Sequence, residues 1–460
     1  MRLTRRQALA GAAAGALGAA AGIYELVDQL SGEAPKRPVG TTRPPEQHLL
    51  DDVAVIVDND VEVVIPPLHH QLVTARVRAD DLLAARRELN DALEELDRRY
   101  EPTPAGLGVT VGWGLPYFER RVPEAWAKHA PRDRRARKLA LIPAIRFPSD
   151  PEETFLEDND VAVLLRSDSS DHLADAARVL FDELGVFDVR SVRKGFVGGG
   201  FGGRRSLPKK VAVAAGIPGA DLIPDSAQLF LGFTSTQKDA LGPRRIVNFE
   251  TLGLVDLGPS SYFREGTSMH VSHLFEDLEA WYLNFDFRER VDTAFRPGLK
   301  VRTREQTVRQ GPRDIEHTAQ VKRDFERRGR IGHAAAIQTS SRLVRDHVVE
   351  DGTVYKRGTA IPQRADFNTL DNPFAWSATP ERDAMQNSPA AGIHFVVFNP
   401  TSDDFHRNRL AMDGVLPDGT RLPFAARDRN QGFNAVLRTS HRQNFLVPPR
   451  RHRSFPLAEL

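Results

Sequence analysis

Alternating strand–helix–strand passages are the feature that most restricts how this chain can fold. Strand segments are recognised by a two-residue hydrophobic period and helices by apolar residues three and four apart. The first half contains two such passages: 71–77, 82–100 and 107–111, then 161–165, 170–184 and 187–192. Two passages in one unit predict a ferredoxin-like sandwich, with helices on one face of an antiparallel sheet.

A second unit of the same kind begins near Arg244. Its predicted strands cover 269–272, 354–357 and 393–398, and its predicted helices cover 274–283 and 403–412. The fold class is therefore α+β, with two ferredoxin-like α/β sandwich domains in a dimeric α+β barrel-like arrangement.

This organisation divides the chain into five expected segments. They are a signal (1–30), a Pro-rich linker (31–50), the N-terminal domain (51–243), the C-terminal domain (244–447) and an exposed tail (448–460).

The 460 residues include no cysteine, which excludes several chemistries. Disulfides, iron–sulfur clusters, thiolate zinc sites, thiolate-ligated haem and cysteine nucleophiles all need a thiol. The net charge of +1 gives no long-range attraction to nucleic acid or anionic lipid.

The N-terminus has the layout of an export signal. Basic residues precede sixteen uncharged residues over 8–23, of which nine are Ala and four are Gly. The pair Arg5-Arg6 before this weakly apolar run resembles a twin-arginine signal. A membrane anchor is the alternative, but sixteen residues fall short of the roughly 20 that span a bilayer.

A glycine-rich run over 195–203 contains a formal GxGxxG at Gly198, Gly200 and Gly203. A phosphate-binding loop of this kind must open directly into a helix. Pro208 follows closely and argues against such a helix, so a plain loop is favoured over a nucleotide site.

Two histidines precede acidic residues at a spacing compatible with a metal site. If a helix starts at Leu274, His273 and Glu276 share one of its faces, with His270 on the strand before it. No second ligand pair is apparent. Capping of a helix start is therefore the favoured interpretation.

His333 lies among small residues, between Gly332 and Ala334. Small neighbours leave room for a flat cofactor to approach one face of the imidazole. By spacing alone, a structural or surface histidine is the more common outcome.

The order of several segments resembles that of the dye-decolorising (DyP-type) haem peroxidases over most of the mature chain. The segments are PLHHQLV (67–73), LGVTVGWGLPYF (107–118), NDVAVLL (159–165), RSVRKGF (190–196) and GTSMHV (266–271), followed by a helix through Trp281. The resemblance implies two ferredoxin-like domains with a haem b pocket. It also implies frequent twin-arginine export among bacterial members.

The resemblance assigns roles to individual residues. His333 matches the histidine that binds the haem iron, and residues 355–358 match the strand with a basic pair and a glycine. Lys356 then stands at the position of the distal arginine. A shift of one residue would place Arg357 there, because neighbouring side chains on a strand face opposite ways.

The chain departs from the family at the distal acid. The family's GxxDG motif corresponds to 195–199, where Gly195 is retained and Gly198 replaces the aspartate. No Asp or Glu occurs between Asp188 and Asp221. General acid–base help contributes about a hundredfold to ten-thousandfold, so His273 or a remote carboxylate would have to supply it.

Three functions remain open from the sequence. The first is an exported haem peroxidase that uses hydrogen peroxide and an organic donor, outside the membrane in the periplasm, the cell wall or the medium. The second is a non-catalytic haem carrier or haem-free binding protein of the same fold. The third is an oxidoreductase that binds a nucleotide at the glycine run. Apart from these small molecules, the expected partner is the twin-arginine export machinery, and self-association is an alternative to a monomer.

Overall fold

A computed structural model describes the chain over 43–58, 61–133, 137–198, 206–233, 261–301, 317–348, 354–372, 389–425 and 428–460, together with Val27, Leu30 and Gly352. Nearly all of the predicted export signal, most of the linker and the second half of the glycine run lie outside these residues. None of the helices in the described ranges is both long enough and apolar enough to cross a membrane.

The first unit has two strand–helix–strand passages, as predicted. A separate antiparallel hairpin, β1 (Ala54–Asp58) and β2 (Val61–Ile65), precedes it. The unit and its insertions consist of β3 (His69–Val77), α1 (Leu82–Arg99), β4 (Gly108–Gly114), α2 (Leu115–Arg121), α3 (Pro123–His129), β5 (Phe155–Leu156), β6 (Val161–Ser167), α4 (Ser170–Ala177) and β7 (Phe187–Phe196). Antiparallel pairing gives the strand order β7–β3–β6–β4, which is that of a ferredoxin-like sandwich.

Helix α1 shows why these elements form where the sequence predicts them. The Asp81 carboxylate caps its start by accepting from the backbone N–H groups of Leu83 and Ala84, each at 3.0 Å. Its buried residues recur three and four apart and form one apolar stripe: Ala85, Leu89, Leu93 and Leu96.

The second unit repeats the strand order of the first. Helix α5 (Leu207–Ala214) leads into it, and its elements are β8 (Thr267–Glu276), α6 (Leu278–Asn284), α7 (Phe287–Ala294), α8 (His317–Arg328), α9 (His333–Gln338), β9 (His347–Val348), β10 (Val354–Tyr355), β11 (Gln363–Arg364), β12 (Phe367–Thr369), β13 (Gly392–Asn399), α10 (Ser402–Met412) and β14 (Leu437–Val447). The pairing order is β12–β13–β8–β14. When the four strands of each unit are numbered in chain order, both units have the same strand order and connectivity.

The two sheets join edge to edge. Asn368 of β12 pairs with Phe196 of β7, and β14 pairs with β4 through Phe445–Gly114 and Leu446–Trp113. Eight strands therefore close into a barrel, whose interior contains the apolar cluster Leu72, Ala162, Leu164, Val197, Met269, Val271, Ala365, Phe367, Val396, Phe398, Phe445 and Val447. The predicted α+β fold with two ferredoxin-like units is confirmed.

Two predicted elements of the second unit are wrong. Strand β8 continues to Glu276, and the next helix begins at Leu278 with Asp277 as its cap, so no helix starts at Leu274. The predicted strand over 354–357 shrinks to β10, which pairs with β9 outside the barrel. At Leu274 the local apolar pattern fits both a helix and a strand, and pairing with the distant strands β13 and β14 decides between them.

The C-terminal tail is also packed rather than exposed. Phe455 and Leu457 are buried against the first unit. The Trp113 indole N–H donates to the carbonyl oxygen of Arg453 at 2.9 Å, and the Tyr117 hydroxyl donates to that of Pro456 at 3.0 Å. The tail thus covers one end of the first unit's core.

Candidate functional site

A cavity of about 180 Å³ lies in the second unit, where the barrel's outer face meets α9 and α10. Strand side chains alternate between faces, so Met269 and Val271 point into the barrel while Ser272, Leu274 and Glu276 line the cavity. The span from Ser272 to Glu276 is about 13 Å at roughly 3.3 Å per strand residue. Most of the remaining wall is apolar: Leu229, Leu231, Phe233, Phe295, Ile337, Ile393, Phe395, Val397, Phe405, Phe433 and Leu437.

His333 lines this cavity from the first residue of α9. Gly332 lets the helix begin against α7, because a Cβ there would lie 2.2 Å from the carbonyl oxygen of Phe295. The ring centroids of His333 and Phe433 lie 4.6 Å apart. The imidazole is therefore held in place by packing.

The charge state of His333 is fixed by its surroundings. Burial lowers the pKa of His333 to about 3, and the positive charges of Arg364 and Arg409 act in the same direction. Its Nδ1 atom is buried and has no hydrogen-bond partner among the described residues. The imidazole is thus neutral above about pH 4, which is the form that binds metals.

One end of the cavity carries a buried network of arginines and carboxylates. Arg442 donates to Asp150 through both terminal nitrogens, with the Nη2–Oδ1 distance at 3.0 Å. Arg409 lies 3.3 Å from Asp150 Oδ1 and 2.9 Å from Asp413 Oδ1. Burial acts to raise the pKa of Asp150, but the two arginines outweigh it and the pKa lies below its ordinary value. Asp150 is therefore ionised and held in place.

Arg364 lines the cavity from β11. Its guanidinium forms a two-point contact with Asp366, at 2.8 Å from Nε to Oδ1 and 2.6 Å from Nη2 to Oδ2. It also lies 5.8 Å from the centre of the Phe395 ring. A guanidinium fixed in this way has a defined orientation.

Glu276 is the second acidic residue that lines the cavity, and its protonation state differs from that of Asp150. It is 4 % exposed, and its Oε2 atom is buried with no hydrogen-bond partner in the described part of the chain. Burial raises the pKa of Glu276 to about 8, and the negative charge of Asp366 adds to this effect. Unlike Asp150, this carboxyl carries its proton at neutral pH.

The predicted distal basic pair does not reach the cavity. Lys356 and Arg357 are exposed on the turn after β10, and neither lines the cavity wall. The Lys356 ammonium lies 3.0 Å from the exposed Asp346, and the Arg357 backbone N–H donates to the same carboxylate at 2.8 Å. The chain turns at Gly358 (φ 88°) and enters the barrel only at β11, so the basic side chain that this segment brings to the cavity is Arg364.

Gly195 and Gly198 do not line the cavity either. A Cβ at Gly195 would lie 2.2 Å from the carbonyl oxygen of Asn368, so this glycine permits the β7–β12 junction. Gly198 has φ 126°, a conformation that side-chain-bearing residues rarely adopt.

The glycine run is followed by a helix, contrary to our expectation. Helix α5 starts at Leu207, with Ser206 as its cap and Pro208 in the first turn, where proline is well tolerated. Gly200 and Gly203 lie outside the described residues, so the predicted GxGxxG loop has no geometry to compare.

Neither the metal site considered for His273 and Glu276 nor the favoured helix cap is present, because both residues lie in β8, on opposite faces of the strand. The His273 ring lies in the barrel, 4.3 Å from that of His394, whereas Glu276 faces the cavity. The His270 Nδ1 atom lies 2.7 Å from Asn444 Oδ1. In the described ranges, no three His, Asp or Glu residues come together as metal ligands.

Three cavity residues, Arg364, Asp150 and Glu276, were not predicted in these roles from the sequence. Arg364 and Asp366 are two apart, a spacing that places both side chains on one face of a strand and was the available signal. Asp150 lies in an irregular loop and carries no local signal. Glu276 was considered as a metal ligand or as an acid in the first turn of a helix.

This architecture is that of the DyP-type peroxidases. The encapsulated DyP-type peroxidase from Mycobacterium smegmatis is 15% identical, with 85% of this chain and 95% of that chain covered and a TM-score of 0.50. A protein from Shewanella oneidensis assigned to the same type is 13% identical, with 86% and 95% covered and a TM-score of 0.50. A DypB variant from Rhodococcus jostii RHA1 in complex with heme is 15% identical, with 85% and 95% covered and a TM-score of 0.48.

At these identities the likeness concerns the fold alone. The chain itself belongs to the family DUF7405, a family of unknown function, whose model matches residues 67–449. No curated protein matches the sequence.

Proposed function

We propose that this protein is a DyP-like haem protein that holds haem b in the cavity of its second unit, with His333 as the axial ligand. The observation that carries the proposal is the neutral imidazole of His333, which faces a mostly apolar cavity within this fold. Neutral imidazole is the usual protein ligand of haem iron when no thiolate is available, and this chain has no cysteine.

The residues of the cavity suit this group. Aromatic and aliphatic walls match a flat apolar ring, and Arg409 and Arg442 could pair with its carboxylates.

When bound, haem would supply the redox chemistry with hydrogen peroxide, and an organic donor would return the electrons. The chain's own residues would hold the reactants. Arg364, oriented by Asp366, would donate hydrogen bonds to a small ligand in the cavity. Asp150, ionised between two arginines, would keep that end of the cavity polar without exchanging protons.

A haem carrier or haem-free protein is the second candidate, and Gly198 favours it. The backbone there has φ 126°, so an aspartate could not take this position without strain. His333 Nδ1 also lacks the hydrogen-bond acceptor that commonly makes a histidine ligand more basic, as far as the described residues show. Both features would weaken peroxide activation while leaving haem binding intact.

We further propose twin-arginine export of the mature protein, which would place it in the periplasm, the cell wall or the medium. The support is the sequence alone: Arg5-Arg6, followed by the Ala/Gly-rich run over 8–23. The export machinery is then a transient partner. A Lys-Lys replacement of the pair, followed by cell fractionation, tests this directly.

The experiment for the haem site uses the mature protein from a haem-sufficient host. We expect a Soret absorbance band that is lost or shifted in His333→Ala and retained in His129→Ala, a change at an exposed histidine. Peroxide-dependent oxidation of a dye by the loaded protein then separates a peroxidase from a carrier. No Soret band, even after reconstitution with haem, would refute both the peroxidase and the haem carrier and leave the haem-free protein.

A further inference from the structure

We infer that Glu276 is the proton-exchanging carboxyl of this cavity, which takes a proton from a small protic ligand bound there and returns it. The identity of that ligand rests on the proposed function. The position of the carboxyl does not, because it follows from β8 and its neighbours.

The geometry directs the Glu276 side chain into the cavity. Glu276 is the last residue of β8 and pairs with Leu437 of β14, another cavity residue. Its backbone N–H donates to the carbonyl oxygen of Ala391 at 2.9 Å, which fixes the strand end. His333 faces the same cavity from the helical side, and no described residue is hydrogen-bonded to Glu276 Oε2.

No charged or titratable group described near Glu276 forms an ion pair with it. Asp366 is engaged by Arg364 in a two-point contact and still acts on Glu276 as a negative charge. The Tyr282 hydroxyl donates to the carbonyl oxygen of Phe230 at 2.6 Å. With His333 neutral, Glu276 carries its proton below about pH 8 and is ionised above it.

The other cavity acid, Asp150, cannot take this role. Arg442 and Arg409 hold it as a carboxylate, and its Oδ2 also accepts from the backbone N–H of Phe147 at 2.7 Å. A proton exchanger must instead be free to change its charge, with a pKa near the working pH. Glu276 meets this condition.

The step is a proton transfer without redox change. The bond between hydrogen and the ligand's acidic atom breaks, as in hydrogen peroxide or hydrogen cyanide, and an O–H bond forms on ionised Glu276. The reverse transfer returns the proton to the atom that leaves. Glu276 would thus be the proton-exchanging acid of this cavity, at a place separate from Gly198, which does not line it.

The first test uses the protein without haem. Infrared difference spectra of wild type against Glu276→Gln should show the carbonyl band of a buried protonated carboxyl at pH 6.5, and the band should titrate away with a midpoint of about 8. Glu279→Gln, which removes an exposed carboxylate three residues away, should leave the band in place. Absence of the band from wild type at pH 6.5 would overturn the inference.

The second test measures cyanide association with the haem-loaded protein above about pH 8, where Glu276 is ionised and can accept the proton that hydrogen cyanide must lose on binding. Glu276→Gln should slow association about tenfold or more, as expected for the loss of a general base, whereas Glu279→Gln should not. An unchanged rate in Glu276→Gln would also overturn the inference. If the protein does not bind haem, the proposed function is refuted instead. The inference on Glu276 is then tested by the infrared spectra alone.

Discussion

Replacing Glu276 by Gln should stabilise the protein increasingly as the pH rises. In the folded chain, burial raises the pKa of Glu276 from its ordinary 4.5 to about 8. Between these values the folded state binds a proton that the unfolded state has lost, so wild-type stability falls with rising pH. Gln has almost the same shape and cannot ionise, so the variant does not share this loss.

The expected size of this stability difference follows from the pKa shift of Glu276. Each pH unit between 4.5 and 8 changes the difference in unfolding free energy by about 1.4 kcal/mol. From pH 5 to pH 7.5, the advantage of Glu276→Gln over wild type should therefore grow by roughly 3 kcal/mol. This is a large share of a typical total of about 5–15 kcal/mol.

Urea unfolding at several pH values measures this growth directly. Because wild type and variant share every other titrating group, the difference between their unfolding free energies reports on Glu276 alone. Glu279→Gln should show no such trend, since its side chain is exposed. A difference between Glu276→Gln and wild type that stays constant over this pH range would show that the carboxyl is ionised or well solvated, and the reasoning would be wrong.

Three further predictions concern stability. Burial, together with the charge of Arg166, lowers the pKa of His48 to about 3, so stability should fall as the pH drops from 6.5 towards 3. This residue alone should cost roughly 2 kcal/mol by pH 5, measured by urea unfolding as a change with pH in the difference between wild type and His48→Gln; a difference that stays constant would contradict it. Asp150→Asn leaves Arg442 buried without its carboxylate and should cost about 3–5 kcal/mol at pH 7, while a loss below 1 kcal/mol would mean that water reaches the pair. Gly195→Ala forces a Cβ against the Asn368 carbonyl and should lower stability by about 1–3 kcal/mol, whereas an unchanged melting temperature would show that the β7–β12 junction can shift.

The fold was predictable where local pattern and tertiary packing agree. Helix α1 carries its own cap and one apolar stripe, so its sequence fixes both its start and its buried face. The end of β8 was not predictable in this way, because Leu274 and Phe275 suit a helix or a strand equally. Their pairing with Ile393 and Gly392, more than a hundred residues away, decides the outcome.

The candidate site was predictable only in part. His333 stood out because small residues flank it, and it does line the cavity. Arg364 was missed because the basic pair at Lys356 and Arg357 looked similar in sequence and lay nearer to His333. The behaviour of Glu276 depends on burial under distant helices and on the charge of Asp366, neither of which has a local signature.

The most direct test of the account is the absorbance spectrum of the mature protein with haem. We predict a Soret band in wild type and in His129→Ala, with the band lost or shifted in His333→Ala. A wild-type protein that shows no Soret band after reconstitution with haem, or a band unchanged by His333→Ala, would contradict the assignment of this cavity and its ligand.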